Sequence, residues 1–265
     1  MGLSFNWSVQ TDVGRQRDHN EDSNAVFAEE GIWLVADGMG GHNSGEVASR
    51  IAVEEVTRFL VEPALRDDPE VNRRLGSLEG DFPPPVRNLI QAVRYANERI
   101  FVEGLKSAEL EGMGTTIIVA KQTGTHLLLG WVGDSRIYRL RQQSLEQLSI
   151  DHSLLNYLLQ EGGLSREEAE KQAQGRGNVL VRALGLQDTV KVDVRGEKMV
   201  PGDLYVLCSD GLTDMVDDHT IGEILALGGG DLRTSCSRLV ERANHNGGRD
   251  NITVCLLQVE ESPSP

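Results

Sequence analysis

Three times along this chain a short apolar run ends in an aspartate beside a glycine. Ile32–Ala36 leads into Asp37-Gly38, Leu127–Val132 into Gly133-Asp134, and Leu204–Ser209 into Asp210-Gly211. A fourth acid, Asp250, stands with Asn251 directly before Ile252–Val259, the most strand-like run of all. Runs this short, bounded by turn residues and charges, read as strands rather than helices. If their ends share one edge of a sandwich, four carboxylates meet in one cleft with no lysine among them.

The segment from Ile32 to Gly45 concentrates the pattern: a buried strand, an acid, a glycine loop, then a helix from Ser44. Glycines let backbone approach a ligand where side chains would block it. Asp37 therefore sits at the end of a rigid element, where it can be aimed.

Around these runs the chain predicts an opening strand over Leu3–Val13, a second over Asn24–Ala28, and a polar segment, Gly14–Asp22, too charged for core. Ala48, Ile51, Ala52, Val56, Phe59 and Leu60 share one helical face, as do Val86, Leu89, Ile90, Val93, Ala96, Ile100 and Phe101; two such helices suit an antiparallel layer on a sheet. The charged, proline-bearing stretch at about 61–85 reads as an extended loop. Strands follow over Thr115–Ala120, His126–Val132, Arg136–Leu140 and Ser144–Leu148, and later over Thr189–Val194 and Leu204–Cys208. Between these groups a polar, glycine-interrupted helical stretch at about 153–174 predicts a flap. Helices over Asp217–Leu227 and from Leu232 to Ala243 precede the last strand. The fold class expected is α+β: a central two-sheet antiparallel β-sandwich flanked on both sides by antiparallel helix pairs, in four layers αββα, within one domain.

Composition narrows the function. At 265 residues and 39% hydrophobic the chain can build a sizeable core. Forty-one acidic against 26 basic residues give a formal charge of −15, which disfavours nucleic acid and anionic membrane as partners. Three cysteines in unpaired spacing read as buried thiols in a reducing compartment. With no membrane-length apolar run and no secretory leader, the expectation is a cytoplasmic monomer with a disordered tail at 261–265.

Carboxylates, a glycine carbonyl and water are hard oxygen ligands that suit Mg²⁺ or Mn²⁺ rather than zinc. Two such ions can clamp and activate a bridging water for attack on phosphorus, and Arg17 can hold a phosphate bidentately. Any single Asp-Gly is more often a turn, and Glu21 with Asp22 alone would be a solvated pair. Four acids at matching strand ends outweigh those readings. His42 is balanced between a proton donor and a solvated group; Cys208, in an apolar run, reads as core rather than nucleophile.

Taken together, Gly14–Ser23, Val35–Gly45, Gly114-Thr-Thr116, Gly133-Asp-Ser-Arg136, Asp151-His-Ser153, Arg182-Ala-Leu-Gly185, Cys208–Asp214 and Gly248–Asn251 resemble, in order, the metal-dependent Ser/Thr protein phosphatases of the PPM family (type 2C) in their bacterial form. The resemblance spans nearly the whole chain and implies a single catalytic domain over 1–260. It implies that Asp37 bridges two Mn²⁺ or Mg²⁺ ions, that Gly38 offers its carbonyl to one, and that Asp210 and Asp250 ligate the other. Asp22 would act through metal-bound water, Arg17 would bind the substrate phosphate, and Asp134 with Asp210 would form a third metal site. Phosphoprotein substrates and opposing Ser/Thr kinases are the implied partners. Eukaryotic members carry a histidine directly after the Asp-Gly, where this chain has Met39. The general acid is then His42, metal-bound water or solvent. Two other classes stay open at this point: a non-catalytic phosphoprotein-binding module, and a two-metal nuclease or nucleotide hydrolase, which the charge disfavours.

Overall fold

The computed structural model describes residues 2–40, 44–78 and 80–262. Within them the strands are β1 (Leu3–Asp12), β2 (Asp22–Phe27), β3 (Ile32–Met39), β4 (Gly114–Thr115), β5 (Ile117–Thr123), β6 (His126–Val132), β7 (Arg136–Arg141), β8 (Ser144–Gln147), β9 (Asp193–Lys198), β10 (Leu204–Cys208) and β11 (Ile252–Glu261). The helices are α1 (Ser44–Val61), α2 (Pro63–Arg66), α3 (Pro69–Leu75), α4 (Pro84–Gly104), α5 (Leu154–Gln160), α6 (Arg166–Ala173), α7 (Asp210–Thr213), α8 (Asp218–Leu227) and α9 (Leu232–His245).

The strands make two antiparallel sheets, ordered β1-β11-β10-β7-β8 and β2-β3-β5-β6-β9, with β4 added to β3. Side chains alternate across a strand, so each central strand feeds two layers at once. Ile32, Leu34 and Ala36 of β3 pack under α1 and α4, while Trp33 and Val35 point between the sheets. On the other sheet, Val206 and Cys208 face α8 and α9 while Tyr205 and Leu207 face inward. Three apolar layers result, giving the sandwich with helices on both faces. Each fully buried aliphatic or aromatic side chain there contributes roughly 1.5–3 kcal/mol.

Several boundaries differ from the sequence reading. The stretch expected as an extended loop at 61–85 holds α2 and α3, each opening on a proline at its first turn. Asp68 caps α3 through the Glu70 and Val71 N–H groups, and Val71 and Leu75 join the layer beneath α1 and α4. Helices this short show no readable period, and the prolines that suggested a loop are helix starters. The strand expected over Thr189–Val194 begins instead at Asp193, because Val190 and Val192 turn into the helical layer. β11 runs through Glu261, paired with Leu3, so the first residue of the expected tail is strand. The flap region at 153–174 contains α5 and α6 around a small core of Leu158, Ala169 and Ala173.

Candidate active site

The strand ends do share one edge. Arg17, Glu21, Asp37, Gly38, Met39, Gly40, Thr116, Asp134, Leu180, Asp210 and Asp250 line a cleft of about 320 Å³. Two larger depressions, of about 720 and 600 Å³, lie elsewhere, lined by residues of β1 and α9 and of α3 and α4. The first has one carboxylate, Asp231, and the second two, Glu98 and Asp188, against five in the smaller cleft, so the chemistry selects that cleft.

Asp37 is the most constrained member. Its N–H donates to Thr116 Oγ1 at 3.0 Å, and its carbonyl accepts from Thr116 N at 2.8 Å and Thr115 Oγ1 at 2.8 Å. Thr116 Oγ1 also meets Ser135 Oγ at 2.7 Å, so one hydroxyl chain joins the backbone of Asp37 to the neighbour of Asp134. Beside it, Gly38 has no room for a side chain: a Cβ would fall 2.2 Å from the Gly45 carbonyl oxygen and 2.6 Å from that of Glu21. This close approach is why glycine follows the acid.

Asp22 stands opposite Asp37 in the β2–β3 register. Its Oδ2 accepts from Ser209 Oγ at 2.8 Å and Thr253 Oγ1 at 2.6 Å, while its buried Oδ1 has no hydrogen-bond partner among the described residues. Glu21, read in isolation as half of a solvated pair, is buried at 6% exposure, and its Oε1 also lacks a hydrogen-bond partner. Asn251 secures this segment, accepting from Glu21 N at 2.8 Å and donating to the carbonyls of Val13 and His19. Arg17 lies at the rim, its Nη2 donating to Asp250 Oδ2 at 2.6 Å.

The electrostatics are strained in one direction. Burial, then Asp210, Asp22 and Asp250, hold the Asp37 carboxyl well above the ordinary carboxylate range, and it is hydrogen-bonded to Asp210. Burial, then Asp134, Asp214 and Asp250, push Asp210 up to about 7. Burial lifts Asp22 to about 6 against the pull of its two hydroxyl donors. Asp134 rises to about 6, again through burial, with Asp151 and Asp214 adding to it. Cations between these groups would reverse the repulsion. The donor set, all oxygen, with buried atoms on Glu21 and Asp22 that lack a hydrogen-bond partner among the described residues, fits Mn²⁺ or Mg²⁺. Among the described residues no three acidic, histidine or cysteine side chains close a metal shell by themselves. A carbonyl such as that of Gly38, and water, would have to complete it.

All the expected metal-site residues except Asp22 line the cleft, and Asp22 adjoins it. His42 lies outside the described residues. Sequence reasoning missed Glu21 as a cleft residue, together with Asp214, Ser209, Thr253 and Thr116. The signal was present: Ser209 precedes Asp210, Thr253 follows Asn251 by two, and Thr116 lies in a Gly-Thr-Thr turn.

A family profile described as protein phosphatase 2C matches residues 11–256. The chain belongs to that family. Among relatives of this 2C phosphatase, the serine/threonine phosphatase stp of Listeria monocytogenes is 39% identical over 253 residues, covering 94% of each chain. The crystal structure of the Mycobacterium tuberculosis serine/threonine phosphatase PstP/Ppp superposes with a TM-score of 0.78 at 34% identity, over 97% of this chain and 99% of that one. A PstP catalytic domain in complex with two manganese ions gives a TM-score of 0.75 at 33% identity, over 98% of this chain and 100% of that one.

Proposed function

We propose that this protein serine/threonine phosphatase hydrolyses phosphoserine and phosphothreonine in phosphoproteins at a Mn²⁺ or Mg²⁺ centre, opposing Ser/Thr kinases. The observation that carries the proposal is the convergence of Asp37, Asp134, Asp210 and Asp250 with Arg17 in one cleft. Asp37 would bridge two ions, the Gly38 carbonyl would serve one, and Asp210 and Asp250 the other. Asp22 and Glu21 would act on water at the rim of the pair, and Asp134 with Asp210 would hold a third ion. Such ions supply a water activated for in-line attack on phosphorus, with no phosphoenzyme.

The rest falls to the protein. Arg17 presents a planar fork that can take two phosphate oxygens at once, and its side chain is 46% exposed at the cleft mouth. Thr115, Thr116, Ser209 and Thr253 hold the acids in place, so little reorganisation is needed as charge builds on the phosphoryl oxygens. His42 is the side chain proposed as proton donor to the leaving serine or threonine oxygen. No helix among the described residues is long and apolar enough to cross a membrane. A monomer acting in the cytoplasm is part of the same proposal.

The test is a phosphopeptide panel of phosphoserine, phosphothreonine and phosphotyrosine, with Mn²⁺ or chelator, on wild type and His42→Ala. Mn²⁺-dependent release from the first two is expected. Binding without release would favour a regulatory module, and release from nucleotides alone a nucleotide hydrolase.

A further inference from the structure

The residue directly before Asp134 in the cleft wall answers to a side chain outside it. Gly133, next to Asp134, makes both of its backbone hydrogen bonds with His152. The His152 N–H donates to the Gly133 carbonyl at 2.9 Å, and the Gly133 N–H donates to His152 Nδ1 at 2.9 Å. Gly133 has φ +115°, and a Cβ there would lie 2.6 Å from Thr116 Cβ. Its backbone is thus wedged between His152 and the threonine that holds Asp37.

The ring is itself oriented. Nδ1 accepts from Gly133, and Nε2 lies 3.1 Å from Asp193 Oδ2 and 2.9 Å from Arg182 Nη1. Arg182 Nη1 donates to the other Asp193 oxygen at 3.1 Å and so fixes that carboxylate. The imidazole is 7% exposed and stacks on Trp131 with centroids 6.5 Å apart. The neighbouring Asp151 clasps Arg136, two residues beyond Asp134, with Nη2–Oδ2 at 2.7 Å.

The backbone of His152 then leads to the flap. Its carbonyl accepts from Val181 N at 2.8 Å, Ser153 bridges to Leu180, and Leu154 N donates to the Val179 carbonyl. Ser153 caps α5, and Leu180 lines the cleft. A single residue therefore touches the metal-cleft backbone on one side and the base of α5 on the other.

We propose that His152 is a positioning residue that clamps Gly133, and through it sets the direction of Asp134, while tying that acid to the base of the α5–α6 flap. The inference rests on the reading of Asp134 as a metal ligand in a hydrolase. His152 touches no substrate; it acts through Gly133.

Two substitutions separate this role from filling space. His152→Phe keeps the ring and its stacking but removes both nitrogens. His152→Asn places an amide oxygen near the position of Nδ1, so it can still accept from Gly133. Amide exchange of Gly133, followed by NMR in chelated protein, reads the clamp without metal or turnover. The Mn²⁺ concentration for half-maximal phosphopeptide release, with kcat and KM resolved, reads its consequence. In His152→Phe, Gly133 exchange at least about tenfold faster and a Mn²⁺ requirement raised about tenfold are expected, with KM little changed. His152→Asn is expected to recover most of both. Unchanged Gly133 exchange and Mn²⁺ requirement in a folded His152→Phe would overturn the proposal. Should that variant fail to fold, His152→Asn decides: near-wild-type values support the clamp, and loss of Gly133 protection in the folded protein overturns it. If wild type itself releases no phosphate, the hydrolase reading fails, and Gly133 exchange still decides the clamp.

Discussion

Asp22 and Asp37 face each other directly across the β2–β3 ladder, two carboxyl groups in paired register that repel when both are ionised. Such a pair opposes folding unless something positive lies between. Mn²⁺ or Mg²⁺ is therefore expected to raise the melting temperature. At a hundredfold excess over Kd the gain is about 2.7 kcal/mol, or roughly 5–10 °C for a chain of this size. Scanning calorimetry with and without chelator checks it.

That gain should depend on pH. Without metal, Asp22 at about 6 and Asp210 at about 7 exceed the ordinary 3.8, so the folded protein binds their protons more tightly than the unfolded chain. The penalty is absent below pH 3.8 and complete above about 7. The contribution of these groups to metal-free stability thus falls as pH rises through that window, and the increment from Mn²⁺ grows. Thermal melts at several pH values, each with Mn²⁺ or chelator, measure that difference; a constant increment would contradict the assignment.

Asp37→Asn and Asp210→Asn are each expected to cut Mn²⁺-dependent hydrolysis of p-nitrophenyl phosphate by at least about a hundredfold. Both should keep the cooperative melt and gain stability in chelator, since each removes a repelling charge. Steady-state assays paired with melting curves check both parts. Full activity in either variant would remove that acid from the site.

Much of this was legible in the chain, and the failures share a cause. Strands such as Ile32–Ala36 declared themselves by unbroken apolar content, and the acids at their ends fell at one edge because the sheets stack with those ends together. Taken alone, Glu21 and Asp22 read as a solvated pair, and only the resemblance assigns Asp22 to the metal site, because local charge says nothing about what lies across the ladder. β2 starts at Asp22, and burial there comes from Asp37, Ser209 and Thr253, partners remote in sequence. The helix α3 was hidden by its length, and it buries two side chains, Val71 and Leu75, too few to show a period.

Arg17→Ala should split two quantities. Losing the phosphate fork is expected to lower kcat/KM by about 10²–10³-fold. Freeing Asp250 from its 2.6 Å partner should at the same time leave Mn²⁺ binding equal or tighter. Kinetics and calorimetric Mn²⁺ titration on one preparation resolve the two; weaker metal binding would mean Arg17 supports the acids rather than the substrate.

Ser209→Ala and Thr253→Val each remove one hydroxyl donor from Asp22 Oδ2. Metal affinity is expected to fall about 10–100-fold in either variant. Titration calorimetry measures it directly, and an unchanged Kd in both would show that Asp22 needs no such support.

The pairing of β1 with β11 has a consequence for how such a domain can be joined to other things. Leu3 lies against Glu261, and Asp12 against Ile252, two residues past Asp250. Both ends therefore leave at one corner, and the strands run from that corner toward the acids, a span of about 30 Å for ten residues. A partner fused beyond Leu3 or Glu261 would be attached at the end of these strands away from the acids. To deliver a tethered phosphopeptide to the site, a linker would need about ten extended residues or more.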